Sequence, residues 1–373
     1  MPRVSFFLPL LLVCAAPPAA SPHPVFSERS IVNAASFVPA QLNGGSIARG
    51  SIFTIFGTAI GPKTPAQAQQ FPLQGTLSGV TIVISQPGLP AVPALPVFVS
   101  EGQINAIMPS SAPLGPATIQ VEYNDGDGPA QSSPVRVDVV DSSFGIFTAT
   151  GRGVGPAIAF NFESAADQPL NATTTSARRG QVVTLWGTGL GAVVGGDDRP
   201  PSETGAVVDV QARAQVQVWV GGAQAQTILY AGRSPGFAGL DQINFVVPDQ
   251  AALGCYSPVW VKVVGGKVSN VATLAIADAP GACTDAVNPY LAPASARGSA
   301  CFAAARSLRR SAFGHQHRHR QRFVPRAHQP RLLLQPRAQP AAPRDVPCSS
   351  TRRLGLQRAW RGAPPPPPEA GAR

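Results

Sequence analysis

Two cysteines, two tryptophans, a few clustered acids and one glycine-rich loop are the residues of this chain whose types and spacing could do chemistry. Cys255 and Cys283 stand near the start of one strand-like run and just past the next, so a disulfide between them would draw the end of that region together. A bridge closing about thirty residues would stabilise by roughly 3 to 4 kcal/mol; two free thiols, or pairing with Cys301, are the alternatives. Trp219 and Trp260 each sit among alternating valines, in "VQVWV" and "VWVKVV". If Val216, Val218, Val220, Val259, Val261 and Val263 face a core, both indoles face away from it and could stack on a sugar ring or a partner surface. The competing expectation is that one or both are covered by neighbouring structure.

The acids offer less. Asp197, Asp198 and Glu203 cluster in one stretch and could supply a glycosidase pair, but a solvated acidic loop is the simpler expectation. In "YNDGDGP", Asp125 and Asp127 could meet calcium, yet the later carboxylates of an EF-hand are missing and a hairpin turn explains the same residues. "VVTLWGTGLGA" spaces Gly187, Gly189 and Ala192 like a dinucleotide loop. The "VVGGDDRPPS" that follows cannot start the helix a pyrophosphate needs. Ser or Cys nucleophiles usually need a histidine base, and of the five His only His23 lies outside the stretch from His315 onward. No catalytic residue and no cofactor is therefore expected, and the chain is read as a non-enzyme.

The two ends carry different information. Arg3, the apolar stretch Val4 to Cys14 and the small residues to Ala20 form an export signal over residues 1–20. Val13 rather than a small residue precedes Cys14, which argues against a lipoprotein, and the apolar run is about half the roughly 20 residues a membrane span needs. A secreted or cell-surface location follows, with no transmembrane segment after signal removal. From Ala296 onward there are sixteen Arg and only two acids, so although the net charge is +10 the rest of the chain is mildly acidic. That Pro-broken tail is expected to be disordered. It could hold a polyanion, or a metal through "HQHRH", or be a GC-rich gene read out of frame; the abrupt change of composition favours the last and argues against nucleic acid as a partner.

The elements that must position all of these come in two copies. "QINAIMP" (Gln103 to Pro109) returns as "QINFVVP" (Gln242 to Pro248), and "SIARGSIFTIFGTAIGP" parallels "SARRGQVVTLWGTGLGA". Gly50, Gly57 and Gly61 fall opposite Gly180, Gly187 and Gly191, and the order of matches is the same throughout. Period-2 alternation between turn signals, in units a little over 100 residues long, predicts two tandem Ig-like β-sandwiches in an all-β chain, at 28–142 and 143–280, with the tail at 281–373. Ile104 and Ala106, like Ile243 and Phe245, should face their cores, with Pro109 and Pro248 ending the strands. The Gln and Asn of each phrase are expected to hold a turn. "GIFTATGRGVGPAIAFN", from Gly145, is expected to run from one unit into the next.

These phrases, with "IVNAASF" and "YAGRSPGFAGLDQINFVVP", resemble an uncharacterised C-terminal Ig-like family of secreted acidobacterial proteins, distantly similar to IPT/TIG domains. The resemblance covers about Ile31 to Ala277. It implies a pair of Ig-like domains in an exported protein and no known reaction. The expected role is a structural, adhesive or interaction module whose partner is an unknown protein or polysaccharide at the cell surface. A carbohydrate-binding module using Trp219 and Trp260, and a fragment of a secreted hydrolase, are the alternatives.

Overall fold

β-branched residues at every second position build most of the strands. In Val80–Ser85 the side chains of Val80, Ile82 and Ile84 are buried, while the residues between them are partly open, the period a half-covered strand requires. The computed structural model describes residues 23–39, 42, 45–204 and 208–285, and across them the fold is all-β, with sheets packed as sandwiches. The stretch expected to be an export signal, Cys301 and the expected tail beyond Asp285 lie outside the described residues, whereas residues 281–285, expected to belong to that tail, are tied to the second sandwich, with Ser176 N donating to Gly281 O at 2.8 Å and Cys283 N to Thr173 O at 2.9 Å. Among the described residues no helix is long and apolar enough to cross a membrane.

Twelve strands form the first sandwich: β1 (Ile31–Asn33), β2 (Ile47–Ala48), β3 (Ile52–Phe56), β4 (Ala66–Gln67), β5 (Thr76–Leu77), β6 (Val80–Ser85), β7 (Val92–Pro93), β8 (Leu95–Val99), β9 (Gln103–Ile107), β10 (Gly115–Asn124), β11 (Pro129–Gln131) and β12 (Val135–Val140). One sheet runs β1-β3-β9-β8-β4 and the other β2-β12-β10-β6-β5, with β7 beside β6 and β11 beside β10. Nine more form the second: β13 (Gly145–Ile146), β14 (Ala159–Asn161), β15 (Val182–Thr188), β16 (Gln217–Val220), β17 (Ala223–Gln224), β18 (Ile228–Arg233), β19 (Asp241–Val246), β20 (Gly254–Lys262) and β21 (Ala272–Ile276). Here the sheets run β13-β15-β19-β18, with β14 beside β15, and β17-β16-β20-β21. Two one-turn helices, α1 (Pro201–Thr204) and α2 (Gln211–Ala214), interrupt the long connection from β15 to β16.

The duplication read in the sequence is visible as topology. β3-β9-β8 and β12-β10-β6 in the first copy correspond to β15-β19-β18 and β21-β20-β16 in the second. Register agrees residue by residue: Ile55 pairs with Ile104 as Leu185 pairs with Ile243, and Thr54 with Asn105 as Thr184 with Asn244. Ile104, Ala106, Ile243 and Phe245 are all fully buried. Each sandwich has its own core, one built from side chains between Ile31 and Val139, the other between Phe144 and Ile276. Gly50 and Gly180 both take positive φ, 71° and 75°, in the turn before the equivalent strands β3 and β15, which is why both copies keep glycine there.

Two expectations need correcting. Gln103 closes a turn only through its main chain, where Ser100 N donates to Gln103 O at 2.8 Å, while the side chains of the phrase do not hold one: Gln103 Nε2 donates to Asn105 Oδ1 at 2.9 Å, and Thr54 Oγ1 donates to the same oxygen at 3.0 Å. They pair along the outer face of the strand because their alternation places them on one side. The segment from Gly145 does not bridge the two units. Its β13 and β14 pair with β15, and Ala157 N donates to Thr273 O at 2.8 Å, so it crosses between the two sheets of the second sandwich.

Candidate functional site: an outer indole pair and a buried polar joint

β16 and β20 are antiparallel neighbours, and their register sets Trp219 directly opposite Trp260. Val216, Val218, Val220, Val259, Val261 and Val263 all face the core, which sends both indoles to the outer face. There they stack on each other, with ring centroids 5.1 Å apart and planes 4° from parallel. Gln224 on β17 lies opposite Trp219, and Gln217 lies opposite Lys262 on the same outer face. Both indoles are half-buried. One π-face of each ring is occupied by its partner. Trp219 Nε1 is buried without a hydrogen-bond partner among the described residues.

Cys255 and Cys283 form a disulfide with Cα atoms 5.3 Å apart. Around it, Cys283 N donates to Thr173 O at 2.9 Å and Cys255 N to Asp285 Oδ1 at 2.6 Å. The "YNDGDGP" stretch is the hairpin turn between β10 and β11. Asp125 Oδ1 accepts from Asp127 N at 3.1 Å there, and Gly126 and Gly128 have positive φ. Among the described residues no cluster of three or more His, Cys, Asp or Glu could hold a metal. In the "GTGLGA" loop, no helix begins until α1 at Pro201, a single turn nine positions beyond Ala192. The loop's amides are also spoken for, since Gly189 N and Leu190 N donate to Asp241 Oδ2 at 2.7 and 2.8 Å.

The acidic stretch is where the structure departs most from the sequence expectation. Asp197 is not solvated: it is 8 % exposed, accepts Ser110 N at 2.6 Å and Ser110 Oγ at 2.8 Å, and lies 3.9 Å from Arg233 Nη2. Arg233, 2 % exposed at the end of β18, reaches Asp241 Oδ1 with its Nη1 at 3.1 Å. Burial pushes the Asp241 carboxyl above the usual range, with Arg233 and the two loop amides pulling it back down. Tyr230 Oη lies 2.9 Å from Val208 O and 2.6 Å from Arg233 O, with one hydrogen to share between them. Burial pushes that phenol up, and the charges of Asp241 and Asp209 push it further. A cavity of about 10 Å³ beside Asp197 and Arg233 is no larger than a single water needs.

Ser110 belongs to the first sandwich and Asp197 to the second, so this cluster joins the two. Asn33, fully buried on β1, continues the joint: its Nδ2 donates to Ser143 O at 3.1 Å and Thr188 O at 3.2 Å, and its Oδ1 accepts from Ala35 N and Ser36 N. Thr188 Oγ1 accepts from Ile52 N at 2.8 Å and donates to Gly239 O at 2.7 Å. Leu73 N donates to Asp198 O at 2.6 Å, and Arg49 pairs with Asp141 in the connection. Gly189 passes so close to Ser143 O and Asn33 that a Cβ there would collide with backbone. Sequence reasoning missed Asn33, Arg233 and Asp241. The signal available was polar residues of unlike charge inside otherwise apolar strands, in "IVNAAS" and "YAGRSPGFAGLD".

No family model matches the chain, and neither does any curated protein sequence. Among solved structures, a tetra-tandem repeat from the extending region of a large adhesion protein is similar at 14 % identity and a TM-score of 0.18, over 64 % of this chain and 46 % of that one. An endo-fucoidan hydrolase of glycoside hydrolase family 107 is similar at 8 % identity and a TM-score of 0.14, over 53 % of this chain and 24 % of that one. The chain thus spans less than half the length of either. Likeness at these scores carries no argument about architecture or activity.

Proposed function

We propose that this chain is an exported, non-catalytic module of the acidobacterial Ig-like kind, working as a rigid two-sandwich spacer in a structural or adhesive role. The observation that carries the reading is the joint: Asn33, Thr188 and Asp197 are committed to bonds between the two sandwiches, and Arg233 and Asp241 brace the second sandwich behind them. Buried polar groups arranged this way fix one relative orientation, since any other leaves them unpaired at a cost of about 1 to 3 kcal/mol each. A disulfide in the second sandwich suits an oxidising compartment.

The hydrolase reading has less support. It needs carboxylates free to meet a substrate, and Asp197 and Asp241 are held by Ser110, Arg233 and two amides. The carbohydrate-binding reading through Trp219 and Trp260 has to work with indoles that already use one face on each other. Expression of the full chain with a tag in a bacterial host tests the main reading. Recovery outside the cytoplasm, with Cys255 and Cys283 oxidised and no glycoside turnover, is expected. Retention in the cytoplasm with both thiols reduced, or turnover lost on Asp197→Asn, would sink it.

A further inference from the structure

The first sandwich carries a second surface that none of the residues above explains. Between β4, the edge of one sheet, and β5, the edge of the other, the chain reads "AQQFPLQG" and crosses the open side of the sandwich. That crossing walls a groove of about 400 Å³ with buried Pro96 and half-buried Leu77 at its base, a volume within the range of small-ligand sites. Phe71 stands on its rim at 41 % exposure. Gln67, Gln69, Gln70 and Gln74 line the rest, and no lining residue carries a charge.

The groove is held in shape from three sides. Ala66 and Gln67 pair with β8, Thr76 and Leu77 pair with β6, and between them Leu73 buries its side chain and ties its amide to Asp198 O of the second sandwich. Two of the glutamines are set by the loop itself: Gln69 Nε2 donates to Gln67 O at 3.2 Å and Gln74 Nε2 to Pro72 O at 2.9 Å. Each of those keeps its Oε1 as an acceptor. Gln67 and Gln70 make no side-chain hydrogen bond among the described residues, so both ends of their amides are open to a ligand.

We propose that this groove binds a neutral polysaccharide. A primary amide offers a donor and an acceptor side by side, the complement of two adjacent hydroxyls. An exposed ring beside such amides supplies the apolar contact for the C–H face of a sugar. The uncharged lining selects against acidic glycans, whose carboxylates or sulfates would be desolvated without a counter-charge. A proline-rich peptide would also meet prolines and a ring, but such ligands dock in grooves lined by several aromatics, and here Phe71 stands alone among amides. The site is separate from Trp219 and Trp260, which lie on the second sandwich.

Affinity electrophoresis of the full chain through gels containing dextran, mannan, xylan or a linear β-glucan tests this. At least one is expected to retard the protein. Phe71→Ala should weaken that retardation about tenfold, as expected when a ring contact and its buried area are lost, and Gln70→Ala should weaken it as well. The exposed positions of both residues let the fold survive, which an unchanged melting curve verifies. The pair Trp219→Ala and Trp260→Ala should leave retardation unchanged. No retardation by any of the four, retardation by alginate only, retardation insensitive to Phe71→Ala, dependence on the tryptophans instead, or binding of a polyproline peptide without any glycan each overturns the proposal.

Discussion

Asn33 Nδ2 donates to Thr188 O at 3.2 Å across 155 positions of sequence, and so links the first strand of one sandwich to the end of the equivalent of β3 in the other. Both residues are fully buried. A single amide thereby reports on whether the two halves behave as one body.

Asn33→Ala removes donors to Ser143 O and Thr188 O and the acceptor for two amides. At about 1 to 3 kcal/mol for each buried group left unpaired, the joint should open before either core melts. Calorimetry is expected to change from one coupled transition to two, and small-angle scattering to show a broader distribution of sizes. One transition in the variant, at the original temperature, would refute this.

Arg233→Ala leaves Asp241 and Asp197 buried without their cation. Removing one partner of a buried pair costs about 3 to 5 kcal/mol. Urea titration should show the loss in the second sandwich, because Asp241 sits in β19 and organises the loop amides of Gly189 and Leu190. Equal stability of variant and parent would mean the pair contributes nothing.

Tyr230 supplies the pH dependence. Its ordinary value is 10.0 and burial raises it in the fold, so the native state holds its proton more tightly than the unfolded chain. The stability this contributes is fully present below pH 10 and is lost as pH rises through the folded value. Melting temperatures from pH 8 to pH 11 should fall less steeply in Tyr230→Phe than in the parent, while at neutral pH the variant loses about 1 kcal/mol from the missing hydrogen bond. Parallel curves would contradict the assignment.

Reduction of the disulfide should lower stability by about 3 to 4 kcal/mol, as for a loop of this size, with the loss confined to the second sandwich. Comparing melts of the oxidised and dithiothreitol-treated protein measures it. A Cys255→Ser and Cys283→Ser pair that melts with the oxidised parent would show the bridge to be idle.

Trp219→Ala should cost about 0.5 to 1.5 kcal/mol beyond the area lost, the worth of an aromatic pair, and abolish the exciton-coupled circular dichroism of two parallel indoles. Persistence of the couplet would show that the indoles do not stack.

The sandwiches themselves were legible because alternation and duplication reinforce one another: each buried Ile or Val of β9 and β19 is flagged twice. The bridge between Cys255 and Cys283 was legible for a simpler reason, since one cysteine stands at the start of β20 and the other just past β21, the strand paired with it. The joint was not. Asp197 looks like any loop acid until Ser110 and Arg233 are placed around it, 87 and 36 positions away. Long-range polar pairing has no period to betray it. The indoles fell between these cases: strand alternation sends both outward, but only the register that sets Trp219 against Trp260 shows that each occupies one face of the other.

The bridge also redirects any pull arriving from the C-terminal side. Without it, tension on Cys283 would peel β21 from β20 one ladder bond after another, releasing a loop whose 28 residues could extend to about 95 Å. With it, the same tension arrives at Cys255, at the head of β20, and that length of chain is withheld from stretching. β20 must then shear against β16 and β21 together rather than unzip, the geometry in which several hydrogen bonds resist at once.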